Sequence, residues 1–189
     1  MSFPKDEEKV LFRDLERILY TDEQIQKRVS ELGQQISADY ADKDLVLISI
    51  LKGGIIFLAD LTRAITIPHA FDLMGASSYK NRASSTGKVI ITKDTELNLE
   101  GKDVLLVEDI LDTGHTLSVI IELLKIQDPA SVEICCLLNK QRARKVDLPL
   151  KYTGFEIPDE FVVGYGLDFN EKYRNISGLG ILKPEIYRD

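Results

Sequence analysis

The chain has 189 residues, 44% of them hydrophobic, with 31 acidic against 24 basic side chains and a formal net charge of −7. That suits one α/β core with a modest appendage, and the acidic balance argues against a nucleic-acid surface. The apolar runs are too short to span a bilayer, the charged start MSFPKDEEKV has no apolar secretory stretch, and adjacent Cys135 and Cys136 have neither disulfide nor metal spacing, so a reducing cytoplasm is expected.

Residues 1–20 are charged with scattered apolar positions and give no clear element. Thr21 reads as a helix N-cap with Gln24 in the capping-box position, followed by Ile25, Val29, Leu32 and Ile36 at helical spacing. Leu45 to Leu51 reads as a buried parallel strand that ends in Lys52-Gly53-Gly54, with a helix from about Ile55 to Ile65. A strand beginning at Phe71–Met74 runs to about Ser77-Ser78-Tyr79, and the small polar run KNRASSTG, residues 80–87, reads as a mobile loop. Val89–Thr92 is a short strand and Leu99–Lys102 a turn. Ser131 to Leu138 reads as a further strand, and Phe161–Val163 and Gly180–Leu182 as short ones. Alternating strands and helices imply a doubly wound, mainly parallel α/β sheet in a single domain.

The chemistry concentrates in VLLVEDILDTGHTL, residues 104–117. Val104 to Val107 read as a strand running into Glu108 and Asp109, then Asp112, then Thr113-Gly114-His115-Thr116, with helical spacing from Leu117 through Ile120, Ile121 and Leu124. A loop at a strand's carboxyl end and a helix's amino end is where an open α/β sheet binds ligands. Thr and Gly supply N–H and O–H donors to an anion, and Gly114 lets backbone approach it. Glu108 and Asp109 repel phosphate and suit sugar hydroxyls or Mg²⁺. Donors beside acids therefore point to a phosphorylated sugar. The plainer alternative is a solvated acidic loop with Thr113 as the helix cap.

Two hydrophobics, Glu-Asp, two hydrophobics, then Asp-Thr-Gly-x-Thr resembles the phosphoribosyl-pyrophosphate motif of the type I phosphoribosyltransferases, in the form carried by hypoxanthine-guanine members. The likeness extends from about Asp44 to Lys183. It implies a core of about residues 40–150 and a small hood from about 1–20 and 151–189. It also implies that Thr113, Gly114, His115 and Thr116 cradle the 5′-phosphate, and that Glu108 and Asp109 hold the ribose and Mg²⁺. Asp112 becomes the general base at a purine ring nitrogen. Where one common form of the motif has Lys, this chain has His115.

Other segments extend the resemblance. Ile50-Leu51-Lys52-Gly53-Gly54 matches the pyrophosphate loop, with Lys52 and Gly53 as contacts joined by a peptide able to adopt the cis form. Ser78 and Tyr79 match a loop that closes over the reacting centre and excludes water. Lys140 matches the donor to the purine 6-oxo oxygen, which implies hypoxanthine or guanine over adenine. Within GFEIPDEFVVGYGLDFNEKYRN, residues 154–175, Phe161 matches the aromatic that stacks on the base and Val162 the residue whose backbone reads its edge. Asp168 matches a metal-associated acid near the pyrophosphate, grouped also with the purine contacts, and Arg174 a pyrophosphate contact. The expected activity is transfer of 5-phosphoribosyl from phosphoribosyl pyrophosphate to N9 of a 6-oxopurine, yielding IMP or GMP and pyrophosphate, in a homodimer or homotetramer. Two alternatives stand: a phosphoribosyltransferase for xanthine or another base, and a non-enzymatic regulator on the same fold.

Overall fold

The structure, a computed structural model, describes residues 12–79 and 88–188. Strand β1, Leu15–Tyr20, precedes helix α1, Asp22–Asp39. The capping box is formed on both sides: Gln24 N–H donates to Thr21 Oγ1 at 3.3 Å, and Thr21 N–H donates to Gln24 Oε1 at 2.9 Å. Asp22 and Glu23 place negative charge in the first turn, where the exposed N–H groups favour it. The four apolar residues at helical spacing, Ile25, Val29, Leu32 and Ile36, are all buried. Gly33 lies so close to Ala64 that a Cβ there would stand 2.6 Å from the Ala64 carbonyl oxygen.

The large sheet is built from β2 (Leu45–Leu51), β3 (Ala70–Tyr79), β4 (Lys88–Lys93), β5 (Asp103–Leu111), β6 (Ser131–Asn139) and β7 (Tyr152–Glu156). Its order is β4-β3-β2-β5-β6-β7, parallel throughout except for the antiparallel β3–β4 pair. Helices α2 (Ile55–Ala64) and α3 (His115–Lys125) follow β2 and β5. The sides of the sheet are divided by strand alternation. Leu105 and Val107 of β5 join Phe57 and Leu61 of α2 and the buried face of α1. Val104 and Leu106 join Leu117, Ile120 and Leu124 of α3. Each such fully buried aliphatic side chain contributes roughly 1.5–3 kcal/mol. This two-sided burial explains why the strands read as continuous apolar runs.

A second, antiparallel sheet has the order β1-β9-β8, with β8 at Val162–Val163 and β9 at Leu179–Leu182. A short helix α4, Pro184–Tyr187, ends the described chain. The hood therefore contains a strand, β1, that its charged sequence concealed: LERILY shows only one buried position in six. Residues 152–156, placed in the hood from sequence, instead extend the large sheet as β7 beside β6. The exposed edge of β7 is engaged by Arg28 of α1, which donates to the Thr153 and Gly154 carbonyls at 2.7 and 3.0 Å. A five-residue edge strand containing Gly carries little pattern of its own.

Candidate active site

Chain progression reverses between β2 and β5. From β2 the chain moves outward to β3 and β4, then returns to β5 on the other side and continues outward to β6 and β7. The carboxyl ends of β2 and β5 flank this switch point, where doubly wound sheets bind ligands. Lys52-Gly53-Gly54 leaves β2 there. Strand β5 runs past Val107, where the sequence pattern ended it, because the ladder with β6 continues to Leu111. Glu108 and Asp109 therefore lie within the strand, and the loop begins at Asp112.

The β5 loop surrounds a cavity of about 200 Å³ lined by Glu108, Asp112, Thr113, Gly114, Thr116 and neighbouring apolar residues. Gly114, with φ of 84°, occupies the left-handed region just before α3 and serves as its N-cap. The Thr113 hydroxyl therefore does not cap the helix. The loop is fastened from outside: the Thr113 carbonyl accepts N–H groups from Lys145 and Val146 at 3.0 and 3.1 Å. Asp112 and His115 are exposed, and Thr116 is half-buried.

Glu108 and Asp109 form the electrostatic centre. Burial and the neighbouring carboxylate push the Glu108 carboxyl well above its ordinary range. Burial also raises Asp109, opposed by Glu108, by the Ile110 N–H at 2.9 Å and by the charge of Arg174. Glu108 Oε2 is buried with no partner among the described residues. Two adjacent carboxylates with an unsatisfied oxygen suit a hard cation that draws its other ligands from a substrate. No cluster of three or more metal-ligating side chains occurs among the described residues.

The β2 loop packs directly onto this pair. A Cβ on Gly53 would overlap the Asp109 carboxylate, and one on Gly54 would overlap the Ser49 hydroxyl. These glycines are required by close approach rather than by positive φ. The cis peptide of this loop is Leu51–Lys52, not Lys52–Gly53. Leu51 is still paired with Gly75 in the sheet ladder, so the strand ends where the sequence pattern placed its end.

Arg174 and Lys52 come together around residues 168–171. Arg174 Nη2 lies 2.8 Å from Asp168 and 3.3 Å from Glu171, and Lys52 Nζ lies 3.1 Å from the same Glu171 oxygen. Asp168 thus pairs with a cation of the β2-loop side. Its neighbour Phe169 meets Phe161 edge-on, with centroids 5.5 Å apart, so this segment links the two halves of the site.

Lys140 starts beside Asp112, because Asn139 is paired with Leu111 and the Lys140 N–H donates to the Leu111 carbonyl at 3.0 Å. Its side chain is nearly buried and lies 3.7 Å from Asp159. Phe161 stacks on Tyr187 of α4 at 4.8 Å between centroids, and Val162 is buried in β8. Ser78 and Tyr79 lie at the end of β3, opposite Val89 and Lys88. Their side chains and residues 80–87 lie outside the described residues, as does the mobile-loop expectation. Sequence reasoning left Glu171, Asp159 and Tyr187 unassigned. Each is an ordinary residue type distinguished only by the distant group it touches.

A family model for the phosphoribosyl transferase domain matches residues 17–170. The chain belongs to the phosphoribosyltransferase family. It is 46% identical over 181 residues to the hypoxanthine-guanine phosphoribosyltransferase of Mycobacterium avium, covering 93% of this chain and 89% of that protein. It is 49% identical over 177 residues to the enzyme of the same name from Staphylococcus aureus, covering 94% and 99%. A crystal structure of a hypoxanthine phosphoribosyltransferase from S. aureus superposes with a TM-score of 0.92 at 49% identity, covering 95% of this chain and 98% of that one. In this phosphoribosyltransferase the acids, the glycine turn and the β2 loop therefore meet on the fold that such relatives share.

Proposed function

We propose that this phosphoribosyltransferase transfers the 5-phosphoribosyl group from phosphoribosyl pyrophosphate to N9 of a 6-oxopurine, releasing pyrophosphate and a purine nucleoside monophosphate in base salvage. The observation that carries this reading is the meeting of Asp112, Lys140 and the Gly114 turn at adjacent strand ends, beside the Glu108–Asp109 pair. The likeness to hypoxanthine-guanine enzymes supports the choice of base.

Thr113, Gly114, His115 and Thr116 hold the 5′-phosphate, with backbone and hydroxyl donors at the start of α3 as the main contacts. Glu108 and Asp109 take the ribose hydroxyls. The same two carboxylates, with Asp168 nearby on Arg174, would hold Mg²⁺, which supplies positive charge for a departing diphosphate. Lys52, Gly53 and Arg174 meet the pyrophosphate, and their cations are preorganised for its developing charge. Asp112 accepts the purine ring proton as N9 attacks C1′ of the ribose. Lys140 donates to the 6-oxo oxygen, Phe161 stacks on the ring, and the backbone of Val162 reads the base edge. Ser78 and Tyr79 belong to a segment that closes over the centre.

We infer the same setting as for the sequence: a homodimer or homotetramer in the cytoplasm. Buried, unbridged Cys135 and Cys136 are in keeping with a reducing compartment, and no described helix is long and apolar enough to cross a membrane. The deciding assay mixes protein, Mg²⁺, phosphoribosyl pyrophosphate and one of hypoxanthine, guanine or xanthine, and follows base ultraviolet absorbance. Nucleotide formation with hypoxanthine or guanine supports the proposal. Turnover of xanthine alone would move the specificity, and no turnover with all three would leave a regulator on this fold.

A further inference from the structure

Gly164, Tyr165 and Gly166 all occupy the left-handed region, with φ of 101°, 46° and 98°. Glycine adopts this conformation freely, whereas a bulky aromatic residue seldom does. Asn170, Glu171 and Tyr173 of the same segment also have positive φ, so what singles out Tyr165 is its anchor on another element. The reversal is closed by mutual backbone bonds between Gly164 and Leu167 at 3.1 and 2.9 Å, and Tyr165 N–H donates to the Ile176 carbonyl at 2.7 Å.

The reversal points two ways. Its backbone presses Gly166 onto the β2 loop, so closely that a Cβ there would overlap the Gly53 carbonyl. Gly166 is also tied twice to Arg174: its N–H donates to the Arg174 carbonyl at 3.1 Å, and its carbonyl accepts Arg174 Nη1 at 2.7 Å. The Tyr165 side chain runs to α1 and α2, where it is 3% exposed and its hydroxyl donates to Asp60 Oδ2 at 2.6 Å. The same carboxylate oxygen accepts Gln26 Nε2 at 2.9 Å, and its other oxygen pairs with Arg63. Gln26, Asp60, Tyr165 and Arg174 border a cavity of about 190 Å³. Close packing on that side is therefore missing, and the buried Arg174 Nε has no partner among the described residues. The guanidinium depends on Gly166 and on the acids at 168 and 171 for its aim.

We propose that Tyr165, anchored by Asp60, is a positioning residue for the pyrophosphate side of the site and acts through Gly166 on Arg174. The inference rests on the assignment of Arg174 to pyrophosphate made above. Strain held in a functional loop by an anchor elsewhere is a recurring arrangement, and small displacements of a charged donor are costly to binding.

The test measures the dissociation constant of pyrophosphate with Mg²⁺ by calorimetry, together with both Michaelis constants. Tyr165→Phe and Asp60→Ala are expected to weaken pyrophosphate by about five- to ten-fold while moving the purine KM less than about two-fold. Asp60→Asn, which keeps an accepting oxygen, is expected to recover most of the loss. In an Arg174→Ala background, Tyr165→Phe is expected to add nothing. The inference is overturned if Tyr165→Phe leaves pyrophosphate affinity unchanged, moves both substrates equally, or weakens pyrophosphate as much without Arg174 as with it. Should Tyr165→Phe fail to fold, the Asp60→Asn and Asp60→Ala pair gives the same reading. An Arg174→Ala enzyme with normal pyrophosphate affinity removes the underlying assignment and this inference with it. A weakened Arg174→Ala enzyme beside an unaffected Tyr165→Phe sinks the inference alone.

Discussion

The loops after β5 and β2 reach the same sheet edge by different means. The end of β5, the turn after it and the first residues of α3 carry their chemistry within nine consecutive residues, Glu108 to Thr116, and the turn is set by one left-handed glycine. The β2 loop contributes a lysine and two glycines, and the diphosphate site proposed for it is complete only when residues 166–174 fold across it from more than a hundred positions away. The first is a local device and the second an assembled one. A local device tolerates changes in its surroundings. An assembled one fails wherever any of its pieces loses its support.

The largest effect that sharpens this contrast is expected at Asp112. Asp112→Asn should retain donor binding and lose roughly 10²–10⁴ in turnover, the range for a positioned acid or base. Donor affinity and steady-state rates check it, and an unchanged rate would break the base assignment. Next comes Phe161→Ala, which should raise the purine KM by a factor corresponding to about 1–3 kcal/mol of stacking, with little change in the donor KM. Equal effects on both substrates would show that Phe161 supports the hood instead of the base.

Gly53→Ala tests the assembled side directly. Its Cβ would overlap the Asp109 carboxylate, so the expected cost is about 1–3 kcal/mol in chemical denaturation, with weaker donor binding. Normal stability would mean that the two loops are not in the contact described.

Glu108→Gln tests the local side through pH. Because the folded carboxyl is raised above its unfolded value, the unfolded chain gives up this proton first as pH rises. Below the unfolded value Glu108 carries no penalty. Between the unfolded and folded values stability falls with rising pH. Glu108→Gln should therefore melt higher than the parent at alkaline pH, by a margin that closes as the pH is lowered into the ordinary carboxylate range, while donor binding is lost. A margin independent of pH would contradict a Glu108 carboxyl raised by burial.

The smallest effect belongs to Glu171. Its bonds to Lys52 and Arg174 hold its carboxyl below the ordinary value, but the Lys52–Glu171 pair is 65% exposed on both sides. Such pairs are screened by water and salt. Glu171→Gln should leave the melting temperature unchanged; a clear drop would show that the assembled loop relies on this pair more than its exposure implies.

Particular elements show what was legible and why. The Thr21–Gln24 capping box, the α1 stripe and the continuous apolar strands β2, β5 and β6 were all readable, because each is governed by contacts a few residues apart or by burial on both faces. The order of Glu108, Asp109, Asp112 and the glycine turn was readable for the same reason. Strands β1 and β7 were not. Each lies at a sheet edge with few buried positions, so pairing with distant partners decides it.

The amino-acid order alone therefore set the α/β class, the helix starts and the acid-and-donor loop, since these depend on local geometry and on the period of burial. Tertiary structure alone decided that Gly53 must be glycine because Asp109 lies against it, that Asp168 pairs with Arg174, that Tyr187 covers a face of Phe161, and that residues 152–156 extend the large sheet. These are meetings between segments far apart along the chain. Nothing in either segment states that the other will be there until the sheet has closed and packing has left room for only one arrangement.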